Sequence, residues 1–197
     1  VILTDESDIN LPQSTMEIGD FTGDGTDEYA ILSQLNSIAK TDDIKANVSL
    51  FGINEDEFIM PDISEGKAFS KTGEVIADDS LKDEGFKIGD ELSLSSTDIT
   101  LTIIGFTEDA KFNAAPVLYG SLETIQEVRF GEAAEQKDDQ INGFVIRTDN
   151  LDSVAVDNSL SVVSTQTFIE NMPGYSEQNL TLTFMIYFLF IISAVIL

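Results

Sequence analysis

The last stretch of the chain, "NLTLTFMIYFLFIISAVIL" from Asn179 to Leu197, carries no charged residue and consists almost wholly of large apolar side chains. A helix rises about 1.5 Å per residue, so such a run nearly crosses a hydrocarbon core of about 30 Å. A helix packed on a soluble core keeps a polar stripe, whereas this run is apolar nearly all round. It is expected to enter a membrane as a truncated transmembrane helix. With Val1 in place of a methionine and no signal peptide ahead of it, the chain reads as a fragment of a longer membrane protein. Charge sets the side. No Lys or Arg follows Arg147, while Asp149, Asp152, Asp157, Glu170 and Glu177 lead toward the apolar run. Cytoplasmic flanks carry an excess of basic residues, so the preceding domain is expected outside the cell.

That domain is strongly acidic. Thirty-six Asp and Glu stand against 10 Lys and Arg, a net charge of -26. Nothing in such a balance neutralises phosphates, which excludes nucleic acid as a partner and disfavours lying flat on anionic lipid. Cationic partners and divalent metals stay open. The chain has neither Cys nor His, which removes disulfides, zinc thiolates, cysteine nucleophiles, imidazole bases and Ser-His-Asp triads. With 42% hydrophobic residues it is not a disordered tail.

Short apolar runs at strand spacing alternate with turn signals. Glu28 to Lys40 reads as a strand or buried element, and Ala46 to Ile53 as a strand with Val48, Leu50 and Gly52 on one face. In the connector that follows, Phe58, Ile59 and Phe69 are expected to pack down. Glu74 to Ala77 reads as a strand, then a helical turn capped by Asp79 or Ser80 and ended by Gly85. A turn at Gly89-Asp90, a strand, a hairpin over Ser95 to Asp98 and the alternating strand "ITLTIIGF" follow. "APVLY" predicts a strand ending near Tyr119. The next helix is capped by Ser121, with Glu123 in its first turn, Arg129 in its last and Gly131 beyond. "EAAEQKDDQ" reads as a solvated loop, "INGFVIRT" as a strand, and Thr165 to Asn171 as a short helix. Strands mixed with short helices, without regular βαβ alternation, point to an α+β domain with a mixed sheet.

"GDFTGDGTDEYAIL", from Gly19 to Leu32, begins like a calcium loop, with Asp20, Thr22 and Asp24 at alternate positions and Gly25 next. A complete loop of the helix-loop-helix kind needs a bidentate Glu at its twelfth position, and counting from Asp20 that position is Ile31. The stretch therefore reads as an acidic turn ahead of a strand. Asp20, Asp24 and Asp27 are the candidates for a looser calcium site, and calcium is not expected as a cofactor.

Three segments in order, "EVIADDSLKDEGFKIGDELSLS", "LTIIGFTEDAKFNAAPVLYGSLETIQ" and "TFIENMPGYSEQNLTLTFMIYFLFIISAVIL", resemble the ABC transporter permeases of the FtsX/MacB type. The similarity runs from about Asn47 to Leu197 and is greatest to Gram-positive haem-exporter permeases of the HrtB type. The resemblance implies a MacB-like periplasmic core domain over residues 1–178, with a β-rich part at about 72–110. The start of a transmembrane helix then occupies 179–197. It further implies a multi-pass membrane protein with four helices, this domain lying between the first and second on the extracellular face of a Gram-positive cell. A homodimer, contact with membrane lipid and a separate cytoplasmic ATPase subunit go with it. The chain itself is then not an enzyme: ATP hydrolysis inside moves the outer domains and expels cargo.

If that cargo is haem, the ligands left to a chain without His or Cys are Tyr and Met. Tyr119, Tyr175 and Met172 are the candidates, the last two just above the expected membrane surface. Tyrosines also gather at membrane interfaces and Met fills core gaps, so each has an ordinary structural role as well. The alternative cargo is a cationic antimicrobial peptide, steered by the acidic surface. A membrane-anchored calcium-binding or adhesion module is the other class of function consistent with the chain.

Overall fold

The structure, a computed structural model, describes residues 2–3, 9–10, 29–55, 57–112, 114–136, 140–147, 161–167 and 183–189. The strands are β1 (Ile2–Leu3), β2 (Ile9–Asn10), β3 (Tyr29–Lys40), β4 (Lys45–Ile53), β5 (Ile63–Gly66), β6 (Glu74–Asp78), β7 (Glu91–Leu94), β8 (Thr97–Thr107), β9 (Lys111–Phe112), β10 (Ala115–Ser121), β11 (Gln140–Ile141), β12 (Gly143–Ile146) and β13 (Ser161–Val162). Helix α1 spans Ser80–Asp83 and α2 Leu122–Phe130, followed by a 3-10 turn over Gly131–Gln136.

Six of these strands close on themselves. Strand β3 pairs antiparallel with β4, β4 parallel with β10, β10 antiparallel with β6, and β6 parallel with β8. Strand β8 returns through β7, whose Ser93 and Leu94 pair with Lys40 and Ala39 of β3. The ring removes the free edges that an open sheet would leave on these strands. Because side chains alternate along a strand, one set from each strand points inward. Ala39, Val48, Leu50, Val75, Ala77, Leu92, Leu101, Ile103 and Leu118 form that interior, joined by Leu81 and Phe86 from the α1 segment and Ile125 and Val128 from α2. Helix α2 touches β3, β4, β8 and β10, as a helix lying over one opening of the ring does.

A second, smaller core lies on the outer side of the ring. Ile53, Phe69, Ile76 and Ile104 are buried there, with Leu32, Ile59, Met60 and Tyr119 packed against them. The packing expected of Ile59 and Phe69 is thus found. Phe58 stacks under Arg147, whose guanidinium lies 4.3 Å from the ring centroid.

Several local expectations change. Asp79 takes the N-cap position of the α1 turn, as expected, but its side chain makes no cap bond. Asp78 bonds the turn instead, its Oδ1 accepting from Ser80 N at 3.1 Å and from Ser80 Oγ. Strand β8 alternates only as far as Thr102 and is buried on both faces from Ile103 onward, because Ile103 and Phe106 pack in the ring interior while the outer core covers Ile104. Strand β10 runs two residues past Tyr119, directly into the Ser121 cap, whose Oγ accepts from Thr124 N at 3.1 Å. "EAAEQ" belongs to the 3-10 turn rather than to an irregular loop. The strand expected in "INGFVIRT" is split at Asn142, whose side-chain oxygen accepts from Gln34 N at 2.6 Å.

Of the expected terminal helix, residues 183–189 are described and helical. Phe184, Met185, Ile186, Tyr187, Phe188 and Leu189 are all exposed on it. Among the described residues no helix is long and apolar enough to cross a membrane.

Candidate functional site

Tyr119 is the sequence candidate that the described structure places in a cleft. Leu118 points into the ring, so its neighbour Tyr119 points out. There it faces Phe51 of β4, its ring edge-on at 5.8 Å, and Phe51 in turn meets Phe112 at 5.4 Å. Both distances and the steep interplanar angles are those of favourable edge-to-face pairs. Beside this trio opens a cleft of about 490 Å³, bounded on one side by Pro61 to Ser64 and on the other by Thr107 to Ala110. Its charged lining residues are Asp62, Glu108 and Asp109, with no base among them.

The walls are held by side-chain hydrogen bonds to the backbone. Thr107, 2% exposed, donates its Oγ1 proton to the Asp62 carbonyl at 2.7 Å, and Ser64 Oγ donates to the Phe106 carbonyl at 3.1 Å. Asp78 is fully buried at the end of β6, and its second oxygen accepts from Ala110 N at 2.7 Å. The Ala110 carbonyl accepts from Val117 N at 2.8 Å, tying the same loop to β10. Asp109 sits at φ 55°, a left-handed conformation that Asp tolerates better than most residues. One buried carboxylate thus satisfies three donors and fixes both the α1 turn and one wall of the cleft.

Burial pushes the Tyr119 hydroxyl above the usual tyrosine value, and the negative charge of Asp78 pushes it further the same way. Tyr119 is therefore a protonated phenol at neutral pH, able to donate one hydrogen bond and accept others. A ferric ligand needs the phenolate, which this environment makes more costly. The acidic lining favours a cation or a neutral donor over an anion such as a carboxylate or propionate.

Tyr175, Met172, Asp20, Asp24 and Asp27 lie outside the described residues. Among the described residues no group of three or more acidic side chains is arranged to hold a metal ion. A second cleft, of about 560 Å³, is lined by Asp42, Asp43, Asp90 and Glu91 together with Lys40 and Lys87, so its charge is mixed. Asp78, Phe51 and the acidic lining were not singled out by sequence reasoning. The available signal for Asp78 was an acid set directly after the apolar run Val75–Ala77.

No family model and no curated protein matches the chain. Among solved structures it is similar to the extracellular domain of the noncanonic ABC-type transporter YknZ from Gram-positive bacteria, at 14% identity and a TM-score of 0.49. That match covers 66% of this chain and 70% of the other. It is also similar to the periplasmic region of MacB from Actinobacillus actinomycetemcomitans, at 15% identity and a TM-score of 0.47, over 78% of this chain and 66% of the other. A domain described as a candidate permease from Porphyromonas gingivalis gives 16% identity and a TM-score of 0.39, over 77% and 62%. One neighbour is extracellular and one periplasmic.

Proposed function

We propose that the chain is the outer-face domain of an ABC-type transporter permease, attached to the membrane through its C-terminal apolar segment. The observation that carries this reading is the uncharged run from Asn179 to Leu197, reached through an acidic stretch with no Lys or Arg after Arg147. The order of the permease-like segments adds to it, as does the exposed apolar helix at 183–189. In this proposal the domain performs no chemistry. A separate cytoplasmic ATPase hydrolyses ATP, a homodimer of the permease transmits the movement, and the outer domains displace cargo. The gene gives the test. One membrane helix ahead of residue 1, two more beyond residue 197 and a neighbouring ATPase gene are the expected result, and a lone C-terminal anchor overturns it.

Haem is the first cargo proposed, on the resemblance to the haem exporters. Titrating haem into the full chain in detergent should give an absorbance change that Tyr119→Phe or Tyr175→Phe abolishes; spectra unchanged in both variants remove these tyrosines from the site. A cationic peptide is the second cargo, favoured by the net charge of -26 and by the acidic cleft. Challenging a deletion strain with haem and, separately, with cationic peptides separates the two.

A further inference from the structure

Strand β5 has a side that nothing described covers. Within the described residues it pairs only with β8, and all four of its residues, Ile63 to Gly66, are exposed. The strands of the ring have both neighbours, so among the described residues β5 is where this end of the sheet stops. Ile63 and Ser64 also line the Tyr119 cleft, so the open edge runs straight into its acidic wall.

We propose that β5 is a docking edge for an extended, positively charged segment of a partner protein. The segment adds as a further strand beside Ile63–Gly66 and directs a basic side chain into the cleft between Asp62 and Glu108. Strand addition uses main-chain hydrogen bonds for affinity and side-chain pockets for selectivity. An added strand lies about 4.8 Å from β5, which keeps the cleft within reach of a lysine or arginine side chain.

Charge decides the occupant. A second copy of this chain pairing edge to edge would set Asp62, Glu65 and Glu108 beside another acidic surface, with -26 on each molecule. Like charges placed opposite one another in this way oppose pairing. A basic strand meets no such barrier. The Glu65 carboxylate is engaged by Lys82 at 3.2 Å, leaving the cleft acids as the attraction for an incoming cation. The edge is short, so its few backbone bonds are weak in isolation. A tethered segment overcomes that through its high effective concentration, which favours a neighbouring protein on the same membrane over a free peptide. Only this choice of source rests on the membrane reading above; the pairing does not.

The test uses the full chain in detergent micelles and three synthetic probes: an alternating Lys-Val peptide, its Glu-Val counterpart, and the Lys-Val peptide N-methylated at alternate residues. The Lys-Val peptide should slow amide hydrogen exchange at residues 63–66. Its affinity should exceed that of either other probe by about tenfold, since one has the wrong charge and the other lacks strand donors. Asp62→Lys combined with Glu108→Lys, both exposed positions, should weaken it by a similar factor. Equal binding of the N-methylated peptide, or binding without protection at 63–66, shows diffuse adsorption and overturns the proposal, as does no binding at all. None of these readouts needs an ATPase or a cargo, so they stand or fall apart from the permease reading.

Discussion

Asp78 concentrates more structural consequence than any other described acid. Its carboxylate is fully buried and accepts from Ser80 N, Ser80 Oγ and Ala110 N. Replacing it by Ala leaves at least two backbone donors without their partner, and an orphaned buried group costs about 1–3 kcal/mol. Asp78→Ala should therefore lower stability by about 2–4 kcal/mol in urea unfolding, with Asp78→Asn milder because its amide oxygen still accepts. A loss below about 1 kcal/mol would mean that water replaces the carboxylate. Tyr119 yields a second prediction. Its folded value is raised, so its contribution to stability is complete below the unfolded value of about 10 and is lost as pH rises through the folded one. Absorbance titration should show one phenol ionising late, and Tyr119→Phe should remove it. Glu74 runs the other way. Its carboxylate accepts from Ser70 N at 2.9 Å, which lowers its value, with Lys67 adding in the same direction. Its stabilisation is present above the ordinary carboxylate range and fades as pH falls through the lowered value, so Glu74→Gln should flatten the acid limb of a stability profile.

At the scale of elements, the packing of α2 on β4 is set by one missing side chain. A Cβ built on Gly52 would come within 2.7 Å of Ile125 Cβ, closer than atoms in such contact lie. Gly52→Ala should push the helix off the ring and cost about 1–3 kcal/mol, as overpacking does. Ile125→Ala should also destabilise, by opening a cavity; because Ala keeps the Cβ, the double mutant relieves only the contacts to Cγ1 at 3.0 Å and Cγ2 at 3.3 Å and should fall just short of the sum, which a double-mutant cycle in denaturant measures. This contact shows where sequence reading succeeds and where it stops. The face of β4 carrying Val48, Leu50 and Gly52 followed from period-two spacing, as did the α2 cap at Ser121, since both are local rules. What covers Gly52 is a helix some seventy positions later, and no local rule supplies that. The ring itself was illegible for the same reason: it depends on Ala39 and Lys40 meeting Leu94 and Ser93. Tyr119 could be marked as a candidate because the chain has neither His nor Cys, but the cleft around it needed Pro61–Ser64 and Thr107–Ala110 brought together across the sheet. The double burial of late β8 escaped because a strand flanked on both faces loses its alternation.

For the whole molecule, the governing quantity is a net charge of -26 over 197 residues. The pairs Lys67–Glu74 at 3.9 Å and Lys82–Glu65 at 3.2 Å each include a well-exposed partner, and exposed pairs of this kind contribute about 0–1 kcal/mol. With 36 acids to 10 bases, most carboxylates find no base and repel one another across the surface. Such self-repulsion weakens the compact state relative to the expanded chain, in which the same charges stand farther apart. Salt screens it. Between about 10 mM and about 200 mM ionic strength the Debye length falls from about 30 Å to under about 10 Å, below the span of a small domain. The melting temperature at neutral pH should therefore rise over that range, by about 2–4 °C for each 1 kcal/mol of repulsion removed. The rise should shrink near pH 4, where many of the carboxylates are protonated and little repulsion remains to screen. Differential scanning fluorimetry across the two variables checks both halves of the argument. A melting temperature indifferent to salt at neutral pH would show that the acids are already balanced, by bound cations or by a basic partner of the kind β5 is proposed to accept.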